Sequence, residues 1–264
     1  MTQTIPSPAA ALTRMRAACP LVHCITNYVA MNVAANAVLA AGASPAMVHA
    51  AEEAGDVARI AGALTINVGT LSPHWLTGMV AAAEGATAAG TPWVLDPVAH
   101  FVSPWRREAV QQLVALKPAI IRGNASEIIA LAGADAAGQG ADSGDDVALA
   151  EGPARALATR TGAVVAVTGV RDFVTDGTRA ARVTGGHDLM PRVTALGCAL
   201  TAVTGAYAAQ EAPFDAALAA LCHYAAAGAR AGQGATHPGS FAVAFIDALA
   251  AVGADDLDGR AEAA

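Results

Sequence analysis

The chain has 264 residues, 55% of them hydrophobic and 14% charged, with a formal net charge of -7. That is ample material for a large core, and an acidic chain without a Lys/Arg cluster excludes a nucleic-acid-binding surface. Lys117 is the only lysine, which excludes a Walker A loop, since that loop needs a lysine after its glycines.

In chain order, residues 1–11 read as a loose terminus and 12–18 as a short helix ended by Pro20. Residues 21–25 form an apolar strand running into Thr26-Asn27, and 28–41 a helix closed by Gly42. Strand 45–48, helix 52–61, strand 64–68, helix 73–89 and strand 93–95 follow, then helix 104–116, strand 119–121 and helix 125–131. The stretch from Gly133 to Asp146 reads as a surface loop. Residues 164–167 form a further strand, and 173–175 and 181–183 a hairpin at a sheet edge. From Leu196 to about Val252 the chain reads as helical, broken at Pro213 and Pro238, before a loose acidic tail over 253–264.

Strands alternating with long helices predict an α/β fold, a mostly parallel sheet with helices on both faces, in a single domain spanning 1–264. The strand runs are continuously apolar, as strands covered on both faces are. Cys19, Cys24, Cys198 and Cys222 form no CxxC pair, so neither a zinc site nor a disulfide framework is expected. No signal peptide and no apolar run of membrane-spanning length is evident. A soluble, cytoplasmic protein is expected.

In parallel sheets, ligands gather beyond the carboxyl ends of the strands. Those ends carry Thr26-Asn27, Asn67 with Gly69-Thr70, Asp96-Pro97, Arg122-Gly123-Asn124 and Thr168-Gly169. The sequence Thr194-Ala195-Leu196-Gly197-Cys198 then opens an Ala-rich helix, whose first turn offers unpaired N–H groups to an anion. Asn124-Ala125-Ser126-Glu127 fits a capping box. It also fits a second role, in which Glu127 and Asp96 hold magnesium through water and Arg122 faces nucleotide phosphates. A cation, a positive side chain and N–H donors are what phosphoryl transfer requires. His23, His49 and His100 lie at strand ends in no metal-binding pattern and read as structural.

Several stretches carry a resemblance: His23-Cys24-Ile25-Thr26-Asn27-Tyr28-Val29, Gly42-Ala43-Ser44-Pro45-Ala46-Met47, Asn67-Val68-Gly69-Thr70-Leu71, Leu95-Asp96-Pro97-Val98 and Arg122-Gly123-Asn124-Ala125-Ser126-Glu127. In these the chain resembles the hydroxyethylthiazole kinases of the ribokinase-like superfamily, over nearly its whole length. The resemblance implies ATP- and magnesium-dependent phosphorylation of 4-methyl-5-(2-hydroxyethyl)thiazole, for thiamin biosynthesis or salvage. It implies that Met47, Asn27 and Val29 contact the thiazole, Arg122 and Thr168 contact ATP, and Asp96 and Glu127 belong to the magnesium site. Gly197 and Cys198 match the family's anion hole, with Cys198 standing where related sugar kinases carry an aspartate base. A homotrimer with the thiazole site between subunits is implied, with Asn67 and Gly69 serving a neighbour's site. The family's turn is usually Thr-Gly-Thr-Gly-Cys, so Ala195 and Leu196 depart from it. Ala195, at a substrate-contact position, takes positive φ less freely than glycine. Rival readings are a kinase of hydroxymethylpyrimidine or pyridoxal, a thiol-dependent hydrolase using Cys198, and a silent vitamin-binding protein.

Overall fold

The computed structural model describes residues 6–133 and 147–264. Nine strands form one sheet: β1 (Leu21–Ile25), β2 (Ser44–Ala46), β3 (Ala63–Asn67), β4 (Trp93–Asp96), β5 (Ile120–Asn124), β6 (Val164–Thr168), β7 (Asp172–Thr175), β8 (Ala180–Val183) and β9 (Ala261–Ala263). Their order is β2-β1-β3-β4-β5-β6-β7-β8-β9. β1 to β6 run parallel, and β7, β8 and β9 pair antiparallel at one edge.

Side chains on a strand alternate between faces, and the parallel strands use both. Val22, Cys24, Val94, Val164 and Ala166 enter one core, which α1 (Pro8–Ala18), α2 (Met31–Ala41), α8 (Leu196–Ala208), α9 (Pro213–Gly232) and α10 (Pro238–Ala251) cover. Ile25, Leu64, Ile66, Leu95, Val165 and Val167 enter the other, under α3 (Ala51–Ile60), α4 (Pro73–Ala89), α5 (Pro104–Ala115), α6 (Ala125–Ala132) and α7 (Val147–Thr161). α8 lies directly on the sheet: a Cβ at Gly205 would fall 2.3 Å from Thr65 Cγ2. One turn closer to the N-terminus of α8, Thr201 reaches Asp96 at the carboxyl end of β4. Among the described residues no helix is long and apolar enough to cross a membrane.

Four local expectations need correction. The first helix begins at Pro8, because Ser7 caps it by accepting the Ala10 N–H at 3.2 Å and proline suits the first helical position. Only residues 1–5 of the expected loose terminus lie outside the described residues. Tyr28–Ala30 form a turn held by Asn27, so α2 starts three residues later than its apolar pattern. The tail over 253–264 is not loose: β9 pairs with β8 and covers the sheet edge, where unpaired backbone groups would otherwise remain. α7 was not expected, because Gly152 and Pro153 punctuate its sequence. The predicted loop ending at Asp146 lies, after Gly133, outside the described residues.

Candidate active site

The strand ends meet in a chain of buried polar groups. After β1, Asn27 closes a turn by accepting the N–H groups of Val29 and Ala30 at its Oδ1, 3.1 and 3.0 Å away, as short amide side chains do. Its Nδ2 is thereby turned outward, donating to Asn67 Oδ1 at 2.7 Å and to Cys198 Sγ at 3.3 Å. Asn67, the last residue of β3, passes the chain on by donating from Nδ2 to Asp96 Oδ2 at 2.7 Å. That oxygen also accepts from Thr201 Oγ1 at 2.7 Å and from Arg122 Nη1 at 3.3 Å. Arg122 Nη2 in turn donates to Thr168 Oγ1 at 2.7 Å. Six elements therefore converge within one hydrogen-bonded network.

The network has an anion-seeking centre. Ala195 caps α8 with φ +68°, and the Ala199 N–H is already bonded to the Ala195 carbonyl at 2.9 Å. The N–H groups of Leu196, Gly197 and Cys198 precede any intrahelical acceptor, and the helix dipole adds partial positive charge there. A Cβ at Gly197 would sit 3.3 Å from Arg122 Nη2, so glycine lets the guanidinium lie against this turn. Ala195 pays for its left-handed backbone with strain that glycine would avoid. Ala195→Gly should raise the unfolding free energy by about 1 kcal/mol, read from urea titrations; an unchanged or lower midpoint would refute the strain.

Burial pushes the Asp96 carboxyl up to about 6, opposed by Arg122 and aided by the nearby Glu127 carboxylate. Asp96 Oδ1 is buried without a hydrogen-bond partner. Glu127 accepts the Ala99 N–H at Oε1 (3.0 Å) and the Asn124 N–H at Oε2 (2.8 Å), while Asn124 Oδ1 accepts the Glu127 N–H at 2.9 Å. The capping box is therefore real, and it points Glu127 at the same strand end as Asp96. Burial and the Asp96 charge raise the Cys198 thiol above its ordinary range, outweighing the Asn27 donor and Arg122. Cys198 is a neutral thiol at pH 7, and its polar neighbours are amides rather than an imidazole base.

Beside Arg122, a cavity of about 410 Å³ opens between the β6–β7 turn, the β8–α8 loop and α9. Thr168, Gly169 and Asp172 line one wall and Leu196, Gly197, Leu200 and Tyr224 another. Asp172 Oδ1 accepts the Gly169 N–H at 2.9 Å, fixing the turn after Thr168. It is half-buried, and desolvation pushes its carboxyl up to about 7. A folded value above the unfolded one of about 4 means support for folding that is complete below pH 4 and lost as pH rises through 7. Asp172→Asn keeps an acceptor for Gly169 without titrating. Its stability relative to the parent should grow by about 2 kcal/mol from pH 5 to pH 8; a pH-independent difference in denaturation midpoint would contradict the assignment.

This geometry coincides with a known family. The profile of the hydroxyethylthiazole kinase family matches residues 12–255. The hydroxyethylthiazole kinase of Rhizobium johnstonii is 64% identical over 261 residues, covering 98% of each chain. The chain belongs to the hydroxyethylthiazole kinase family. The hydroxyethylthiazole kinase structure from Pyrococcus horikoshii OT3 superposes with a TM-score of 0.90 at 38% identity, covering 97% of this chain and 98% of that one. The pyridoxal kinase of Staphylococcus aureus in complex with ADP shares the fold, with a TM-score of 0.63 at 19% identity over 80% of this chain and 88% of that one.

Of the residues singled out in the sequence of this hydroxyethylthiazole kinase family member, Asn27, Asn67, Asp96, Arg122, Thr168 and Cys198 join the one network, with Gly197 and Glu127 beside it. Gly69 and Asn67, expected at a neighbour's site, adjoin their own chain's Asn27: a Cβ at Gly69 would lie 2.6 Å from Asn27 Nδ2. Val29 is 57% exposed on the rim, and Met47 packs half-buried against the first core. His23 bonds the Val48 carbonyl at 2.7 Å and His49 stacks on Trp75, both structural roles. Sequence reading missed Thr201, Asp172 and Arg106. Thr201 sits three residues after Cys198, on the same helical face. Arg106 donates to the carbonyls of Val68, Gly69 and Val98 at 2.8, 2.6 and 3.3 Å, tying the loops after β3 and β4 together.

Proposed function

We propose that this chain transfers the γ-phosphoryl group of ATP to the hydroxyl of 4-methyl-5-(2-hydroxyethyl)thiazole, in thiamin biosynthesis or salvage. One turn carries the reading. Gly197 lies against Arg122 on one side and Cys198 against Asn27 on the other, so the α8 N–H groups sit between the Arg122 end of the cavity and an amide-lined wall. ATP enters from the cavity, its phosphates taken by Arg122 and Thr168. The thiazole enters from the other side, beside Met47, Asn27 and Val29, with Asn67 and Gly69 shaping the wall and Ala195 lining the approach.

Phosphoryl transfer depends on alignment and charge stabilisation more than on a strong base. The N–H groups of Gly197 and Cys198 meet charge developing on the transferred group, as preorganised donors aimed at that position. Cys198 keeps its proton at neutral pH, so it packs against and orients the alcohol rather than deprotonating it. The alcohol proton stays on its oxygen until the new bond forms and then passes to a phosphate oxygen. Asp96, with its unpartnered Oδ1, and Glu127 are the hard oxygen donors that suit magnesium, which binds through one or two carboxylates plus substrate phosphates. When bound, the ion neutralises charge on the phosphate oxygens.

We also read the protein as a cytoplasmic homotrimer of single kinase domains whose thiazole sites lie at subunit contacts. Tyr28 and Val29, 65% and 57% exposed beside Asn27, support a partner covering that rim. The test of the activity is ADP release from ATP and magnesium with hydroxyethylthiazole, hydroxymethylpyrimidine or pyridoxal in parallel. Turnover should be confined to the thiazole; preferred turnover of either alternative alcohol would reassign the substrate.

A further inference from the structure

The β3–β4 ladder ends at the rim of the site. Asn67 pairs with Asp96, and one more backbone bond follows, from the Val68 N–H to the Asp96 carbonyl at 3.2 Å. A parallel ladder would next bring the Val98 N–H to the Val68 carbonyl. That carbonyl accepts from Arg106 Nη1 instead, at 2.8 Å, and the same nitrogen donates to the Val98 carbonyl at 3.3 Å. Arg106 Nη2 reaches one residue further, to the Gly69 carbonyl at 2.6 Å. The half-buried guanidinium thus bridges the connections that follow the two strands. Its own origin is fixed, because Ser103 Oγ accepts the Arg106 N–H at 3.3 Å in the first turn of α5.

Each connection holds one half of the site. Gly69 lies against Asn27, and Thr70 Oγ1 accepts the Tyr28 N–H at 3.0 Å, so the loop after β3 grips the Asn27 turn at two points. The loop after β4 is anchored to Glu127, whose Oε1 accepts the Ala99 N–H at 3.0 Å. Ala99 has φ +48°, a left-handed backbone that persists only where the surroundings over-determine it. Arg107 holds the same loop further on, donating to the Phe101 carbonyl from Nη2 at 2.7 Å and from Nε at 3.2 Å. A planar fork spans several carbonyls at once, which a lysine ammonium cannot do with the same rigidity.

We infer that Arg106 is a positioning residue for the transfer step, a charged clamp that sets the Asn27 wall against Asp96 and Glu127 and so aligns the acceptor alcohol with the phosphoryl group. The inference rests on the reading of the Asn27 wall as the thiazole side. The test measures ADP release with varied thiazole, ADP binding by calorimetry and the melting temperature in the parent, Arg106→Ala, Arg106→Lys, Gly69→Ala and the double variants. Arg106→Ala should lower kcat about a hundredfold, the scale of a misplacement of about 1 Å, with ADP affinity kept. Arg106→Lys, which carries the test should Arg106→Ala not fold, should recover part of this and leave a roughly tenfold loss. Adding Gly69→Ala to either variant should cost far less than it does in the parent, because the released loop can retreat from Asn27. Parent-like kcat in both Arg106 variants beside a lowered melting temperature, or losses that multiply in the double variants, would make Arg106 a brace for the fold and overturn the inference alone. A parent that does not turn over the thiazole overturns the substrate reading and the inference with it.

Discussion

Arg122→Ala lowers kcat/KM about a thousandfold or more, the range seen when a transition-state arginine is lost from phosphoryl transfer, and destabilises the fold at the same time. Both effects follow from its two contacts. Toward the cavity, the guanidinium lies against Gly197 and Thr168, where a planar fork suits phosphate oxygens. Toward the interior, it pairs with Asp96, a carboxylate of 0% exposure. Removing one partner of a buried pair costs about 3–5 kcal/mol. Arg122 holds the Asp96 value down against burial, so its loss moves that value above about 6. The stability deficit should then be greater at pH 8 than at pH 5, because ionised Asp96 is the state that suffers. Arg122→Lys restores most of the stability and only part of the activity, since a point charge replaces the fork. Denaturant midpoints at the two pH values, beside steady-state rates, check this. Equal deficits at both pH values would mean that the ion pair does not govern the site.

Gly69→Ala should lower kcat/KM for the thiazole about a hundredfold while leaving ADP affinity within twofold of the parent, the scale expected for a displacement of about 1 Å. The added Cβ would lie 2.6 Å from Asn27 Nδ2 and 2.8 Å from its Cγ. The backbone has little freedom to retreat, because Arg106 holds the Gly69 and Val68 carbonyls. Asn27 therefore moves, and with it the bonds to Asn67 and Cys198. Overpacking of this kind costs about 1–3 kcal/mol of stability. Steady-state kinetics with the thiazole varied, together with ADP calorimetry, separates the two sides of the site. An unaltered kcat/KM would show that the wall formed by Asn27 and Gly69 does not touch the substrate.

The sequence exposes this site because parallel strands end abruptly in polarity. Apolar runs stop at Asn27, Asn67, Asp96, Arg122 and Thr168, and the topology brings those stops to one rim. The α8 turn was legible from Gly197 and Cys198, and the penalty at Ala195 from the missing glycine, which the φ of +68° bears out. Other parts depend on contacts that no local pattern carries. Thr201 looks like any small residue in an Ala-rich helix until α8 is laid on the sheet and its hydroxyl reaches Asp96. Asp172 belongs by sequence to a hairpin strand, and only the fold turns its carboxylate toward Gly169 and Arg122. The polar C-terminus has no strand-like pattern; pairing with β8 alone makes Ala261–Ala263 a strand, a case of tertiary context overriding propensity. Cys198 is instructive in the same way. Its place at a helix N-terminus suggests a thiolate, but burial beside Asp96 keeps it protonated.

The most direct test of the account is a ³¹P NMR time course of the protein with ATP, magnesium and hydroxyethylthiazole, run for the parent and for Cys198→Ala. We expect a phosphomonoester signal to grow one for one with ADP in the parent, and to persist in Cys198→Ala at a reduced rate, because alignment and charge stabilisation by the α8 turn and Arg122 carry the transfer. Release of ADP with inorganic phosphate alone, or complete loss of the ester signal in a folded Cys198→Ala protein, would contradict it.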